Sequence, residues 1–171
     1  MVKRAKLVND LAELVPILQI FSTETYRSVY ESLLDGWYTL DELKEMFGDG
    51  VEEALKVLKH AGMLEAKWRM PSDPKEKPAK EYHVSYTHIS ANFYSSLKEL
   101  NEILSVVFMP DDEFEEIVDR IISEIKAGRS SVQYISKGLG FSQLFIRAVA
   151  KRSNRLTIKG QLIEMAKNEE I

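Results

Sequence analysis

The sequence predicts a mainly α-helical protein with small β-hairpin wings, in which a winged helix-turn-helix is followed by a long helix and a second helix-turn-helix. Three observations predict this class: apolar residues recur at helical spacing through most of the 171 residues, two stretches resemble hairpin strands, and glycines separate the helices. We expect an N-terminal winged-helix domain at 1–87, a linking and dimerisation helix at 88–109, and a C-terminal helix-turn-helix with a minimal wing at 110–171.

The first three predicted helices lie before the first hairpin. Residues 9–21 are rich in Leu, Val and Ile, and Pro16 is expected to bend or shorten their helix. Ser22 or Thr23 is suited to cap the next helix, which Asp35-Gly36 ends. Thr39, with Glu42 three residues later, predicts a capping box at the start of a third helix.

A further helix and a hairpin follow. The segment VEEALKVLKHA reads as a helix that ends at Gly62, and MLEAKWRM and KEYHVSY read as two strands joined by the loop PSDPKEKPA. Helices in this order followed by a hairpin form the winged-helix plan.

A long helix is predicted from about His88 to Phe108. Its apolar positions recur at alternating steps of four and three, which is typical of a narrow seam between two helices. The sequence therefore favours dimerisation through this seam, although packing of the seam on its own domain stays open. The seam consists of Ile89, Phe93, Leu97, Leu100, Leu104 and Val107.

Charge is distributed unevenly along the rest of the chain, whose formal net charge is −4. Residues 101–127 contain eight acids and two bases, and they include a helix that starts after Pro110. Residues 128–160 contain seven Lys or Arg and no acid. An acid-free stretch is suited to contact with phosphate, because DNA has a high linear density of negative charge.

A second helix-turn-helix is predicted inside this acid-free stretch. Ile135, Leu139 and Phe141, followed by Ile146 and Val149, have the spacing with which two such helices pack. Ser136 is small where the helices cross. Gly140 suits a turn with positive φ, and Ser142 suits an N-cap. The segment RLTIKGQLIEM is expected to form a second, minimal wing around its Lys-Gly turn.

The side chains expected to face outward on the second helix suit base edges and phosphates in a major groove. An alternative is that the basic helix pair stabilises its acidic neighbour at 111–127 within the fold. The DNA-binding candidates are Ser142, Gln143, Arg147, Lys151, Arg152, Arg155 and Lys159, together with Lys75, Lys77 and Lys80 of the first wing.

The segments TLDELKEMFG (39–48) and ALKVLKHAGML (54–64) resemble the ArsR-type winged-helix regulators over about residues 22–86. The whole chain, including AKRSNRLTIKGQ at 150–161, looks like an archaeal branch with extra C-terminal helices. The resemblance implies a homodimeric, DNA-binding transcription regulator.

Three departures from that family affect the expected mechanism. The chain has no cysteine, which excludes the metal sensing that a cysteine pair provides in that family. The turn before Val51 is short, and acids stand at the start of the first recognition helix: Asp49, Glu52 and Glu53. We therefore expect the C-terminal helix-turn-helix to read DNA, and the first winged helix and the seam helix to build the dimer.

Other functional classes find little support in the sequence. The three histidines have no close-spaced partners for a metal, no nucleophile or phosphate-loop motif is present, and no apolar run is long enough to span a membrane. A non-enzymatic cytoplasmic protein without a cofactor is expected. The rival interpretation is a winged-helix interaction module whose acidic faces bind another transcription component.

Overall fold

The computed structural model describes residues 3–167 and 171. The chain forms two compact units. The first contains the described residues up to Leu7 together with 19–90, and the second contains 8–18 and the described residues from 91 to 167. Helices dominate both units, and the strands form small antiparallel sheets, so the predicted fold class is confirmed. The predicted domain boundaries after residues 87 and 109 stay predictions.

A short 3₁₀ turn at Leu11–Glu13 precedes the first α-helix. In chain order the described elements are β1 (Ala5–Val8), α1 (Leu14–Gln19), α2 (Glu24–Asp35), β2 (Tyr38–Thr39), α3 (Leu40–Phe47), α4 (Val51–His60), β3 (Leu64–Arg69), β4 (Ala79–Val84), β5 (His88–Ala91), α5 (Leu97–Val107), α6 (Asp111–Lys126), α7 (Val132–Leu139), α8 (Gln143–Arg152), β6 (Leu156–Lys159) and β7 (Leu162–Met165).

The first unit is a winged helix. Its sheet has the order β2-β4-β3, with Tyr38 opposite Tyr82 and Leu64 opposite Val84. Helix α2 packs on α4 and on β4, while α3 packs on α4. The buried side chains that hold this unit together include Leu33, Leu43, Leu55, Leu58 and Tyr82.

The second unit repeats this plan with α6, α7, α8 and the β6–β7 hairpin. Ser131 forms an antiparallel bridge to Leu162 of the second wing strand, as β2 pairs with the second strand of the first wing. Ser131 is also the N-cap of α7, just as Thr39 is the N-cap of α3. The minimal wing predicted around Gly160 is therefore present. The core of the second unit is built from side chains of α5, α6, α7 and α8 and of residues 11–15.

The local signals at helix starts are confirmed. The Thr23 side chain accepts a hydrogen bond from the Tyr26 amide, and Thr39 forms a complete capping box with Glu42. The predicted helix over 9–21 was too long. Its α-helical part covers only Leu14–Gln19, with Pro16 in the first turn, where a proline removes no intrahelical hydrogen bond.

The long helix predicted from His88 was wrong in its first part. His88–Ala91 is strand β5, which pairs with β1, and the helix begins only at Leu97. The physical reason is a capping box: the Ser96 side chain accepts from the Glu99 amide, and the Glu99 carboxylate accepts from the Ser96 amide at 2.8 Å. A capped start at Ser96 competes successfully with an extended apolar repeat.

Candidate nucleic-acid interface

The first recognition helix, α4, presents acids at its N-terminus. Glu53 is exposed and pairs with Lys56 at 2.9 Å, and Glu52 pairs with Lys44 of α3. The hydrogen bond from Lys44 lowers the pKa of Glu52, so this carboxylate stays ionised at neutral pH. Because phosphate repels such carboxylates, this end of α4 is poorly suited to enter a DNA groove.

One side of the first wing is an ion-pair cluster. Glu81 is buried and lies between Lys67, at 3.3 Å, and Arg69, whose guanidinium also pairs with Glu42 at 2.6 Å. The Lys67 ammonium lies 4.1 Å from the ring centroid of Trp37. The cationic groups on this side are therefore neutralised within the protein.

The loop of the same wing carries exposed charges of both signs, with Lys75 and Lys77 beside Asp73 and Glu76. Lys75 and Lys77 are exposed, and neither forms an ion pair with an acid in the described part of the chain. Lys80 is half-buried, with its ammonium 5.8 Å from the Tyr82 ring centroid. The three predicted wing lysines thus lie together at one end of the first unit and remain available to phosphate.

Two large apolar side chains near the end of the same hairpin are exposed, and their pattern in the sequence did not mark them as site residues. Trp68 is 66% exposed and lies directly opposite Lys80, while Met70 is 72% exposed. Alternation along β3 places Trp68 on the face of the buried Tyr82. The sequence did contain a signal for the exposure of these two residues. Apolar side chains alternate with charged ones up to Met70, at the start of the polar loop, although the buried part of the hairpin ends earlier.

The second helix-turn-helix has the predicted local geometry. Gly140 ends α7 in the left-handed region at φ 76°, and the Ser142 side chain caps α8 by accepting from the Phe145 amide at 3.0 Å. The Ser136 hydroxyl donates to the Phe141 carbonyl oxygen across the turn.

Helix α8 buries one face in the core of the second unit. It packs against α5, α6, α7, β6 and the 3₁₀ turn, and the side chains of Ile146 and Val149 are fully buried. The side chain of Arg147 is 35% exposed, and its guanidinium pairs with Asp10 beside the 3₁₀ turn. The Ser142 hydroxyl similarly donates to Glu102 of α5. Gln143 is exposed and Lys151 is half-exposed.

The remaining predicted C-terminal cations also have partners inside the unit. Arg152 donates to the carbonyl oxygens of Val106 and Met109, both at 2.8 Å, and pairs with Asp111. Arg155 donates to Glu115 at 2.7 Å and to Asp119 at 2.8 Å, and Lys159 pairs with Glu164 at 2.6 Å. Three of these cations thus bind acids of α6 or of the second wing, which favours the alternative interpretation of the acid-free stretch.

The residues of the predicted dimerisation seam do not share one helix. Ile89 lies on β5, Phe93 lies in the segment before α5, Leu100 packs partly on the core, and Val107 is buried. Leu97 and Leu104 are exposed on α5, and Phe108 directly follows this helix with an exposure of 72%. Spacings of seven and four place these three side chains on one face.

Two findings bear on other functional classes. Among residues 3–167 and 171, no group of three or more His, Cys, Asp or Glu side chains is placed to hold a metal ion. No helix in the described part of the chain is long and apolar enough to cross a membrane.

The fold defines a class of protein: a winged helix-turn-helix regulator of the kind that binds DNA. A family model described as ArsR transcriptional regulator matches residues 8–167, and the chain belongs to this family. DNA binding and transcription regulation follow as its family function. No curated protein matches the sequence significantly.

Proposed function

We propose that the protein binds specific sites in double-stranded DNA as a homodimer and thereby regulates transcription. Membership of the ArsR family supports DNA-binding regulation, and the two consecutive winged helices supply elements that dock on duplex DNA. The contact is assigned to the loop of the first wing, because Lys75 and Lys77 are exposed there and have no ion-pair partner among the described residues.

The first wing is the better-supported contact with the phosphate backbone. A lysine without an internal partner can bind a phosphate, and so release a counterion from the DNA, without breaking an ion pair of the protein. An arginine that is already paired must first separate from its carboxylate. Lys75 and Lys77 belong to the first group, and Arg147 and Arg155 belong to the second.

The assignment of sequence reading to α8 stays a prediction. The side chain of Arg147 is partly exposed and pairs with Asp10, so a contact with DNA at this position has to replace that ion pair.

Dimerisation is proposed through the exposed face of α5. Leu97 is 84% exposed, and together with Leu104 and Phe108 it forms an apolar stripe of the width that helix–helix contacts use. A two-fold arrangement through this stripe would present two wings to a palindromic site, as is usual for winged-helix dimers.

Fluorescence anisotropy with a duplex from the protein's own upstream region tests the DNA contact across a salt series. We expect Lys75→Gln/Lys77→Gln to weaken binding and to make the salt slope shallower by about one for each lysine removed. Lys126→Gln/Lys167→Gln removes the same charge at exposed positions outside the wing and should bind like the wild type.

The same assay decides between the wing and α8. Arg147→Gln/Lys151→Gln should retain most of the affinity if the wing is the principal contact. A larger loss in this variant than in the wing variant, with the circular dichroism spectrum unchanged, would return DNA reading to α8 and overturn the assignment made here.

A second candidate function is binding of a basic transcription component. The observation that favours it is the exposed face of α6, where Asp112, Glu113 and Glu116 have no basic partner among the described residues. This candidate replaces the first if the wild-type protein fails to bind any duplex at low ionic strength, where electrostatic contacts with DNA are strongest.

A further inference from the structure

Trp68 and Met70 form an exposed apolar tip on the first wing. Beyond Tyr82, which is 3% exposed, the hairpin extends past the core, and Trp68 and Met70 are 66% and 72% exposed. A large apolar side chain left in water beside a second one is typical of a surface that another molecule covers.

Charge around the tip indicates what covers it. Lys80 lies directly across the hairpin from Trp68, and the loop between the strands contributes the exposed Lys75 and Lys77. The acids of the loop are Asp73, which accepts a hydrogen bond from the Lys75 amide, and Glu76. This end of the hairpin thus has three lysines against two acids, a net charge of +1, and lysines next to an exposed apolar pair suit a groove bordered by phosphates.

We propose that Trp68 and Met70 form a wedge that enters the minor groove and unstacks a base step, while Lys75, Lys77 and Lys80 bind the flanking phosphates. This inference rests on the proposed function, because it specifies how the wing meets DNA. Apolar side chains inserted at base steps bend the duplex, and the bend brings more phosphate against the protein. The wing therefore reads the ease with which a step unstacks, so that flexible pyrimidine–purine steps are favoured.

Ion pairs and a hydrogen bond on the opposite side of the hairpin hold the strand that carries the proposed wedge. Lys67 and Arg69 bind the buried Glu81, and Arg69 also donates to the Trp37 carbonyl oxygen at 3.1 Å. These contacts fix the strand that bears Trp68 to the rest of the unit. A wedge fixed in this way loses less conformational freedom when it enters the groove.

The test uses the full-length protein and an A·T-rich duplex that contains TA steps and 2-aminopurine, a base that becomes brighter when it is unstacked. We expect the wild type to raise this fluorescence as it binds. Trp68→Ala/Met70→Ala should abolish the rise and weaken binding by roughly 5- to 100-fold, the range expected for one lost base–aromatic contact. Trp68→Phe should restore much of both effects.

A control and a second readout separate the possible failures. Met46→Ala removes another exposed methionine of the same unit, which is 47% exposed on α3, and should leave the fluorescence rise intact. In Trp37→Phe, Trp68 is the only tryptophan, so its emission should be quenched on addition of DNA.

Three outcomes would overturn the wedge. In the first, the wild type binds DNA by anisotropy but 2-aminopurine fluorescence does not rise, and Trp68→Ala/Met70→Ala binds with the same affinity. This result excludes the wedge and leaves the proposed function standing. No binding of any duplex removes both. A shift of Trp68 emission that follows protein concentration in the absence of DNA shows that a second copy covers the tip instead.

Discussion

Glu81 is the most buried acid of the first wing. Its burial alone would raise its pKa, but hydrogen bonds from Arg69 and Lys67 outweigh this and hold the pKa below the ordinary value of 4.5. The pKa of Glu42 is also lowered, first by the hydrogen bond from Arg69 and then by that from the Thr39 amide. Both groups therefore contribute stability above about pH 4.5, which is lost as the pH falls through their lower folded-state values.

This cluster leads to the first prediction. Arg69→Leu should lower the melting temperature at neutral pH, because it leaves Glu81 buried with one cation fewer. It should also reduce the further loss of melting temperature between about pH 5 and pH 3, because the lowered pKa values return toward ordinary ones. Thermal melts followed by circular dichroism across this range measure both effects.

Arg4→Leu is the matched control, because Arg4 pairs with Glu65 at 3.7 Å while its side chain remains 61% exposed. Such a surface pair contributes little. If Arg69→Leu kept the wild-type pH profile, the cluster would have no role in acid sensitivity.

At the scale of single residues, the sequence predicts what depends on near neighbours. The caps at Thr23, Thr39 and Ser142 were predictable because each side chain bonds an amide three residues away. The partners of Arg152 and Arg155 were not, because they lie 36 to 46 residues away along the chain. A basic stretch looks the same in sequence whether its cations meet phosphate or the carboxylates of another helix.

Alanine substitutions at the two glycines near the end of α7 should change the free energy of unfolding in opposite directions. Gly140 has φ 76° with open space around its missing Cβ, so Gly140→Ala should destabilise by about 1 kcal/mol through backbone strain alone. Gly138 lies inside α7, and a Cβ there would meet only the Glu124 carboxylate at 3.4 Å. Gly138→Ala should therefore stabilise by about 0.5–1 kcal/mol. Urea unfolding measures both, and the same sign for both would contradict the turn geometry.

At the scale of elements, the 3₁₀ turn at Leu11–Glu13 is best treated as part of the core. Leu11→Ala should lower the free energy of unfolding by about 2–5 kcal/mol, as expected for a large-to-small change at a buried site. It should not raise affinity for DNA. An increase in affinity would instead indicate that residues 8–18 act as a releasable cover of α8. Chemical denaturation and anisotropy on the same preparation separate these outcomes.

The apolar repeat from Ile89 to Val107 illustrates why one element was misassigned. The apolar residues do recur at steps of four and three. However, the first two of them, Ile89 and Phe93, lie in a strand and in a loop and not in the helix. The sequence contained the correct boundary, because Ser96 and Glu99 have capping-box spacing. Periodicity outweighed that signal in the sequence analysis. In the chain, a satisfied helix start and the pairing of β5 with β1 outweigh two further apolar contacts.

At the scale of the whole molecule, the chain uses one structural plan twice with different outcomes. Both units contain a helix-turn-helix followed by a hairpin, and this duplication was predictable from the helical periodicity and turns. The fate of each recognition helix was not predictable. Helix α8 is covered by α5 and by residues 11–13, which lie about 130 residues earlier in the sequence. In the second unit, one face of α8 belongs to the core, while Leu97 and Leu104 leave an exposed apolar face on α5.

That exposed face gives the last prediction. Leu97→Glu/Leu104→Glu should convert a dimer into a folded monomer, because it places charges in the proposed interface without touching the buried Ile103 and Val106. Sedimentation equilibrium measures the change. Leu162→Glu, at a 45% exposed position of β7, should leave the assembly intact. A monomer engages one half-site at a time, so its affinity for the upstream duplex should fall by roughly 100-fold or more. An unchanged dimer would move the interface away from α5, whereas a monomer with full affinity would mean that each chain binds DNA on its own.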